Sequence, residues 1–152
     1  MADEFAEGKW PSFGDGMTTP WQWALDRLVE DPDTRQAQVA FALPEHRWKG
    51  NRDQVCTMHM NFMIRDGQLN ACTVMRSQDL VKGYTYDMPY FAGLMDRMRA
   101  DLEGRGIEVT KGWLHHVVHS LHIYETDCDI VEGILGNEEA RRRAEAKGRF
   151  KR

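Results

Sequence analysis

Two β-forming runs flank a short polar turn, and this pattern constrains the fold more than any other stretch of the chain. The runs cover residues 55–64 and 69–75, with Asp-Gly at the centre of the turn 65–68. Asp-Gly is typical of a tight hairpin turn, because both residues tolerate positive φ. The hairpin register then predicts that Cys56 lies opposite Arg76 at the open end of the two strands.

Helices and further strands are predicted on both sides of this hairpin. Apolar residues at helical spacing indicate a helix over 20–30, with Thr19 as its N-cap, and a second helix over 88–104. Alternation indicates a strand over 36–43, and β-branched and aromatic residues favour another strand over 109–124.

The remaining segments are polar. Residues 1–17 indicate an irregular lead-in, 44–53 a polar loop, and 137–152 a polar helix that is solvated or frayed. The order helix, strand, hairpin, helix, strand is typical of an α+β protein with a mixed or largely antiparallel sheet. We therefore predict one domain over residues 1–152.

Charge and hydropathy exclude several classes of function. The chain has 20 Lys+Arg and 24 Asp+Glu, a net charge of -4, which argues against sequence-independent binding to nucleic acid. We expect no membrane partner and no signal peptide, because no apolar run approaches the roughly 18 residues of a membrane span. The odd count of three cysteines, without a disulfide-framework spacing, predicts reduced thiols in a cytoplasmic protein.

A group of histidines is the most obvious candidate for a metal site: His115, His116, His119 and His122. A helix would place His115 and His119 one turn apart, whereas a strand would place His116 and His122 on one face. The neighbouring residues favour the strand. No cysteine or carboxylate completes a recognised spacing of metal ligands, so we predict no metal site.

The segment 75–87, MRSQDLVKGYTYD, concentrates groups that suit a phosphorylated ligand. Arg76 and Ser77 offer a guanidinium and a hydroxyl, a common pair for phosphate binding, although a charged surface turn is the alternative. Cys56, across the predicted hairpin, is either a small buried residue or a nucleophile whose thiolate Arg76 would favour. A thiolate suits conjugate addition to an electron-poor ring.

Short motifs occur in an order that resembles the thymidylate synthase and pyrimidine nucleotide hydroxymethylase superfamily. They are DPDTR at 31–35, Cys56, Arg76-Ser77-Gln78-Asp79, Gly83, Asp87 and His122-Ile123-Tyr124. The resemblance implies an α+β fold whose twisted sheet forms a homodimer interface. It also implies transfer of a one-carbon unit from 5,10-methylenetetrahydrofolate to C5 of a pyrimidine nucleoside monophosphate.

The same resemblance implies two catalytic residues. Cys56 matches the nucleophile that adds to C6 of the pyrimidine, which makes C5 nucleophilic. Asp79 matches the carboxylate that contacts the folate and orders water. The catalytic residues are therefore expected to be Cys56 and Asp79, with Asp79 also binding the cofactor.

Further positions match groups that hold the substrate. Arg76 and Ser77 match the phosphate-binding pair, and Arg35 matches an arginine that reaches the phosphate across the dimer. His122 and Tyr124 match the pair that holds the sugar hydroxyl. A bound phosphate would position the ring over the thiolate through binding energy remote from the reaction.

Asp87 matches the position that reads the base. Thymidylate synthases have asparagine there, whereas deoxycytidylate hydroxymethylases have aspartate. A carboxylate accepts from N4 of cytosine and, when protonated, donates to N3, whereas its lone pairs face O4 of uracil. Mismatched buried polar groups discriminate by about 10⁴–10⁵. The resemblance therefore implies hydroxymethylation of dCMP or CMP, completed by water, as in phage DNA modification.

Other positions depart from the family pattern. Phe13-Gly14 stands where the family has Tyr-Gly, Gln36 replaces the second arginine of an Arg-Arg pair, and Thr57 replaces a histidine after the nucleophile. We expect the chain to lack the family's N-terminal glutamate segment and its C-terminal segment over the folate. Two alternatives therefore stay open, a subunit completed by another polypeptide and a non-catalytic nucleotide-binding or structural relative.

Overall fold

The computed structural model describes residues 19–148. The predicted lead-in over 1–17, the Phe13-Gly14 pair and residues 149–152 lie outside the described residues.

The first helix confirms its predicted bounds and cap. Helix α1 spans Pro20–Glu30, and Thr19 Oγ1 accepts a hydrogen bond of 3.1 Å from the backbone N–H of Gln22. A threonine cap followed by proline at the first helical position satisfies orphan donors and pre-sets the backbone. Helix α1 therefore starts where its local sequence places it.

The other elements follow in chain order. They are β1 (Gln38–Ala40), a 3₁₀ turn (Pro44–His46), β2 (Thr57–Arg65), β3 (Gln68–Met75), β4 (Gln78–Asp79), α2 (Gly83–Glu103), β5 (Thr110–Val118), β6 (Leu121–His122), a second 3₁₀ turn (Glu125–Asp127), α3 (Cys128–Ile134) and α4 (Glu138–Ala146). Among the described residues the strands form a four-stranded sheet in the order β1-β2-β3-β5 and a two-stranded sheet of β4 and β6. Strands β1, β2 and β3 pair antiparallel and β3 pairs parallel with β5, which confirms an α+β fold with a mixed sheet.

The hairpin of β2 and β3 has the predicted turn and register. Asp66 has a φ of 53° and Gly67 a φ of 69°, as a two-residue hairpin turn requires. At the other end of the hairpin, the N–H of Arg76 donates to the carbonyl of Cys56 over 2.9 Å. The predicted pairing of Cys56 with Arg76 is confirmed.

Helices α1 and α2 pack on one face of the four-stranded sheet. On β2 the alternate residues Met60, Phe62 and Ile64 are buried, whereas His59 and Asn61 between them remain partly exposed. This face and the two helices form the core, which comprises Ala24, Leu25, Leu28, Ala37, Val39, Met60, Phe62, Ile64, Leu69, Ala71, Met75, Phe91, Met95, Met98 and Leu102. The side chains of the opposite face, such as His59 and Asn61, are only partly buried.

Helix α2 begins at Gly83, five residues before its predicted start at Met88. The predicted start rested on apolar residues at helical spacing, which begin only at Phe91. In the structure Pro89 lies inside the helix, and Thr85 Oγ1 donates to the carbonyls of Val81 and Lys82 over 3.1 Å each. Asp87 is therefore held on a helix and not in a loop.

Two predicted strands differ from the observed ones. The strand predicted over 36–43 is regular only at Gln38–Ala40, because the N–H groups of Phe41 and Ala42 both donate to the carbonyl of Met58, next to a bulge in β2. The single strand predicted over 109–124 is wrong. Strand β5 ends at Val118, and the chain then pairs with β4 through the separate strand β6.

The C-terminal segment is less solvated than predicted. Helix α4 covers part of the tail 137–152, and its Ala140 and Ala144 are fully buried. They are four residues apart and so share one face of the helix. A Cβ at Gly133 of α3 would lie 3.0 Å from the Cα of Arg141, so small residues allow the close approach of α3 and α4.

Two glycines give opposite predictions for stability. A Cβ at Gly112 of β5 would lie 2.1 Å from Oδ1 of buried Asn70 and 3.0 Å from the carbonyl oxygen of Leu69. Because Asn70 Oδ1 accepts from the N–H of Trp113, we expect Gly112→Ala to lower the free energy of unfolding by about 1–3 kcal/mol. Gly93 of α2 has no atom within 4 Å of such a Cβ, so Gly93→Ala should raise it by about 0.5–1 kcal/mol.

Urea denaturation of both variants measures this difference. Equal effects of the two substitutions would contradict the packing of β5 against Asn70.

Candidate functional site

One cleft of about 290 Å³ gathers the predicted site residues. It lies where the open end of the β2–β3 hairpin meets β4, β6 and the start of α2. Its lining residues are Cys56, Met75, Arg76, Ser77, Gln78, Asp79, Gly83, Asp87, His122 and Tyr124. Of the predicted side chains, Arg35 is the one that the structure does not place there.

Backbone pairing after β3 brings these residues together. The N–H of His119 donates to the carbonyl of Met75, and the N–H of Gln78 donates to that of Ser120, both over 3.0 Å. The N–H of Leu80 donates to the carbonyl of His122 over 2.9 Å. The motif around Arg76 therefore lies directly beside the motif that ends at Tyr124.

Arg76 is fixed to the backbone just before Cys56. Its Nε donates to the carbonyl of Val55 over 3.1 Å and its Nη2 to the carbonyl of Gln54 over 2.6 Å. A guanidinium has five N–H groups, so further donors remain for an anion. Cys56 is exposed at the edge of the cleft. The arginine thus positions the segment that carries the thiol.

The polar groups of the other wall are arranged around His122. Ser77 Oγ lies 3.5 Å from His122 Nδ1, at the limit of a hydrogen bond. The rings of His122 and Tyr124 meet edge to face, with centroids 5.0 Å apart. This packing restricts both rings and presents a hydroxyl and an imidazole on one side of the cleft.

Asp79 shapes the turn that leads into α2. Its Oδ1 accepts from the N–H of Val81 over 2.8 Å. Lys82 then forms a 2.7 Å ion pair with Asp127, a carboxylate that is only 1% exposed. The two contacts fix the start of α2 beside the cleft.

Gln78 is a site residue that the sequence reasoning treated only as a spacer. It is buried, its Nε2 donates to Asp87 Oδ2 over 3.1 Å, and its Oε1 lies 2.7 Å from His116 Nε2. His116 Nδ1 in turn lies 2.5 Å from Thr73 Oγ1. A usable signal was present, because Thr73 occupies a core-facing position of an otherwise apolar alternation.

Burial lowers the pKa of His116, and the neighbouring His115 lowers it to a smaller degree. The carboxylate of Asp87 acts in the opposite direction. The net effect is a lowered pKa, so the ring is neutral at neutral pH and offers one donor and one acceptor.

The other histidines do not join into a metal site. His115 packs edge to face on Trp113, 6.2 Å between centroids, while His119 is exposed. Within residues 19–148, no three side chains of His, Cys, Asp or Glu lie close enough to share a metal ion.

Within residues 19–148, no helix has the length and apolar character needed to span a membrane. Cys56, Cys72 and Cys128 form no disulfide bond with one another.

Arg35 lies at the other end of the sheet. It is exposed in the segment between α1 and β1. Asp33, two residues before Arg35, accepts at its carbonyl from Arg65 over 3.3 Å, which places this segment beside the hairpin turn. Cys56 precedes the opposite end of β2, so Arg35 does not contribute to the cleft of its own chain.

The sequence matches the family described as Thymidylate synthase over residues 7–147.

The chain belongs to the thymidylate synthase family.

Curated relatives include viral and archaeal proteins. The deoxycytidylate 5-hydroxymethyltransferase of Enterobacteria phage T4 is 26% identical over 129 residues, which are 81% of this chain and 52% of the relative. A putative thymidylate synthase of Methanosarcina acetivorans is 29% identical over 114 residues, 75% of this chain and 50% of the relative. The deoxyuridylate hydroxymethyltransferase of Bacillus phage SP01 is 30% identical over 105 residues, 67% of this chain and 26% of the relative. This member of the thymidylate synthase family spans about half the length of the first two.

The lowered pKa values predict how stability depends on pH. Burial lowers the pKa of both His59 and His116 in the folded state, whereas unfolded histidine titrates near about 6.5. Just below that pH the unfolded state binds more protons, so the free energy of unfolding should fall as the pH is lowered from about 7.5 to 5.5.

Urea midpoints across this range measure the effect. His59→Asn should flatten the pH dependence, whereas His119→Asn, a substitution at an exposed position, should not. An identical slope for wild type and His59→Asn would contradict the assignment of this pH dependence to His59.

Proposed function

We propose that this chain carries the pyrimidine-binding centre of a hydroxymethyltransferase that transfers a one-carbon unit to C5 of a cytosine nucleotide such as dCMP or CMP. The observation that carries the proposal is the single cleft, in which an exposed thiol, an arginine-serine pair and an aspartate lie together. The names of the phage relatives support the reaction class, since they describe hydroxymethyltransferases of pyrimidine nucleotides.

Cys56 is the proposed nucleophile. As a thiolate it adds to C6 of the ring, which pushes electron density onto C5 and makes that carbon nucleophilic. Its position suits this role, because the thiol is exposed at the cleft and its backbone carbonyl accepts from the N–H of Arg76. The pairing fixes where the thiol can attack.

Arg76 and Ser77 are the proposed phosphate ligands. Both line the cleft, and Arg76 is already held by the carbonyls of Gln54 and Val55. An arginine whose position is fixed in advance loses less side-chain entropy when it binds an anion. Binding energy from the phosphate would then hold the ring near Cys56. His122 and Tyr124, on the opposite wall, are placed to hold the sugar.

Asp87 is the proposed reader of the base. It projects into the cleft from the second turn of α2, and its Oδ2 accepts from Gln78. A carboxylate oxygen can accept from the N4 amine of cytosine, but it faces a second acceptor in O4 of uracil. This contrast supports cytosine as the base.

The residues around Asp79 fit a folate cofactor. Asp79 lines the cleft, and the adjacent Leu80 and Tyr84 are 37% and 39% exposed, which gives a carboxylate beside apolar surface suited to a pterin. When bound, 5,10-methylenetetrahydrofolate supplies the one-carbon unit. Asp79 would hold and orient it and order the water that completes hydroxymethylation.

A second copy of the chain is the proposed partner. The face of the sheet that carries His59, Cys72 and Trp113 has no described helix packed on it to the degree that α1 and α2 cover the other face. A homodimer through this face would bury it, and Arg35 would then contact the phosphate in the cleft of the partner. A different polypeptide that completes the site is the alternative.

The first test of this function is release of tritium from C5 of labelled dCMP in the presence of 5,10-methylenetetrahydrofolate. We expect wild type to release tritium and Cys56→Ala to reduce the rate to background, because proton loss from C5 requires the adduct at C6. The matched control is Cys128→Ala, another exposed thiol that lies outside the cleft, which should leave the rate unchanged.

The outcomes separate the alternatives. Tritium release that appears only after addition of a second polypeptide from the native host would replace the homodimer with a completed subunit. Binding of dCMP without release under any folate condition would indicate a non-catalytic relative.

The second test concerns the base. Asp87→Asn should move the preference from dCMP towards dUMP by roughly 100-fold or more in the ratio of kcat/KM values, because an amide donates to O4. Asp96→Asn is the control, since Asp96 lies on the same helix but pairs with Lys111 outside the cleft. Steady-state kinetics with both nucleotides measure the ratio, and unchanged selectivity in Asp87→Asn would refute this role.

A further inference from the structure

A chain of polar side chains runs from the core-facing side of the sheet to the cleft. Thr73 Oγ1 lies 2.5 Å from His116 Nδ1, and His116 Nε2 lies 2.7 Å from Gln78 Oε1. Gln78 Nε2 then donates to Asp87 Oδ2 over 3.1 Å. Thr73 is fully buried and Gln78 is 2% exposed, so the chain is shielded from water over much of its length.

These polar side chains lie in a part of the core where burial of polar groups costs free energy. Thr73 and His116 are register partners on β3 and β5, on the face that otherwise packs apolar side chains against the helices. Buried polar groups stabilise little in net terms even when paired, and apolar residues of similar size often do as well. These polar contacts end on Asp87, the proposed reader of the base, which links them to recognition of the ligand.

The hydrogen bonds from Thr73 to Asp87 have a defined order of donors and acceptors. When His116 carries its proton on Nε2, it donates to Oε1 of Gln78, and Nδ1 accepts from the hydroxyl of Thr73. The amide of Gln78 is then oriented with its NH2 group towards Asp87. The reversed amide would place a carbonyl oxygen against Oδ2 of Asp87, which is satisfied only if that carboxyl is protonated.

Helix α2 carries Asp87 and also packs on the ring of His116. The ring of His116 contacts Phe91 and Tyr84 of α2, with centroids 5.7 Å and 6.1 Å away. Asp87 lies on the same helix, between these two residues in sequence. The charged and titratable groups that act on the His116 ring are Asp87 and His115, and burial lowers the pKa of the ring against the effect of Asp87. The imidazole is thus neutral and keeps one donor and one acceptor.

We propose that Thr73, His116 and Gln78 form a positioning relay that fixes Asp87 as a hydrogen-bond acceptor, with Oδ2 on Gln78 and Oδ1 presented to the exocyclic amine of cytosine. This inference rests on the proposed function, because it assigns the base selectivity of that same site to Gln78 and His116. Neither residue touches the base, and both act through Asp87.

The test compares binding of dCMP and dUMP by isothermal titration calorimetry. In Gln78→Met and His116→Phe, the preference for dCMP, given by the Kd for dUMP divided by the Kd for dCMP, should fall by roughly tenfold or more. The reason is that Asp87 loses the donor that orients it. His116→Phe keeps an aromatic ring against Phe91. The controls are Gln68→Met and His119→Phe, two exposed positions outside the relay, which should keep the wild-type ratio.

A pH profile distinguishes the relay from a general structural role. Gln78→Glu places a second carboxylate against Asp87, and two adjacent carboxylates share a proton at raised pKa. Binding of dCMP to Gln78→Glu should therefore strengthen as the pH is lowered from about 9 to 6, while wild type changes little over the same range. The same profile in wild type and Gln78→Glu would overturn the relay.

A third measurement needs no nucleotide. The ¹⁵N resonances of the His116 imidazole in wild type should show a neutral ring protonated on Nε2, and protonation on Nδ1 would overturn the proposed direction of the hydrogen bonds.

If wild type binds dCMP in preference to dUMP and the variants keep that ratio, the relay fails and the proposed function stands. If wild type shows no preference for dCMP, the role of Asp87 in the proposed function fails, and the relay with it.

Discussion

The hydrogen bonds between β4 and β6 are the interaction on which the site depends. Each strand has only two residues, yet their pairing places Asp79 opposite His122 in parallel register. The pairing is possible because β3 and β5 are parallel neighbours, so the segments that follow them leave the large sheet at the same end. Without it, the arginine-serine pair and the histidine-tyrosine pair would follow separate paths. The cleft is therefore a consequence of two strands ending together.

The features that were predictable are local ones. The hairpin turn at Asp66 and the pairing of Cys56 with Arg76 follow from sequence period and turn chemistry, which neighbouring residues determine. The break after Val118 depends on the pairing of β6 with β4, which overrides strand propensity, and Lys82 at the start of α2 pairs with the distant Asp127. The contact between His116 and Gln78 joins residues 38 apart in the chain, so no local pattern reports it.

Resemblance supplied what local patterns could not, namely which polar residues converge. It placed Asp79 and Asp87 in one site, and the structure brings both into the cleft. It also placed Arg35 across a dimer, and the structure keeps Arg35 away from the cleft of its own chain. Membership of the thymidylate synthase family accounts for these observations together. The chain covers about half the length of its phage T4 relative, so its substrate is a proposal.

The ion pair of Lys82 with Asp127 joins parts of the molecule that otherwise have separate packing. Asp127 immediately precedes α3, which packs with α4, whereas Lys82 immediately precedes α2. Asp87 lies a little more than one turn beyond Lys82 on that helix. The ion pair thus ties the C-terminal helix pair to the start of the helix that carries Asp87, so substitutions in α3 and α4 lie within two contacts of the cleft.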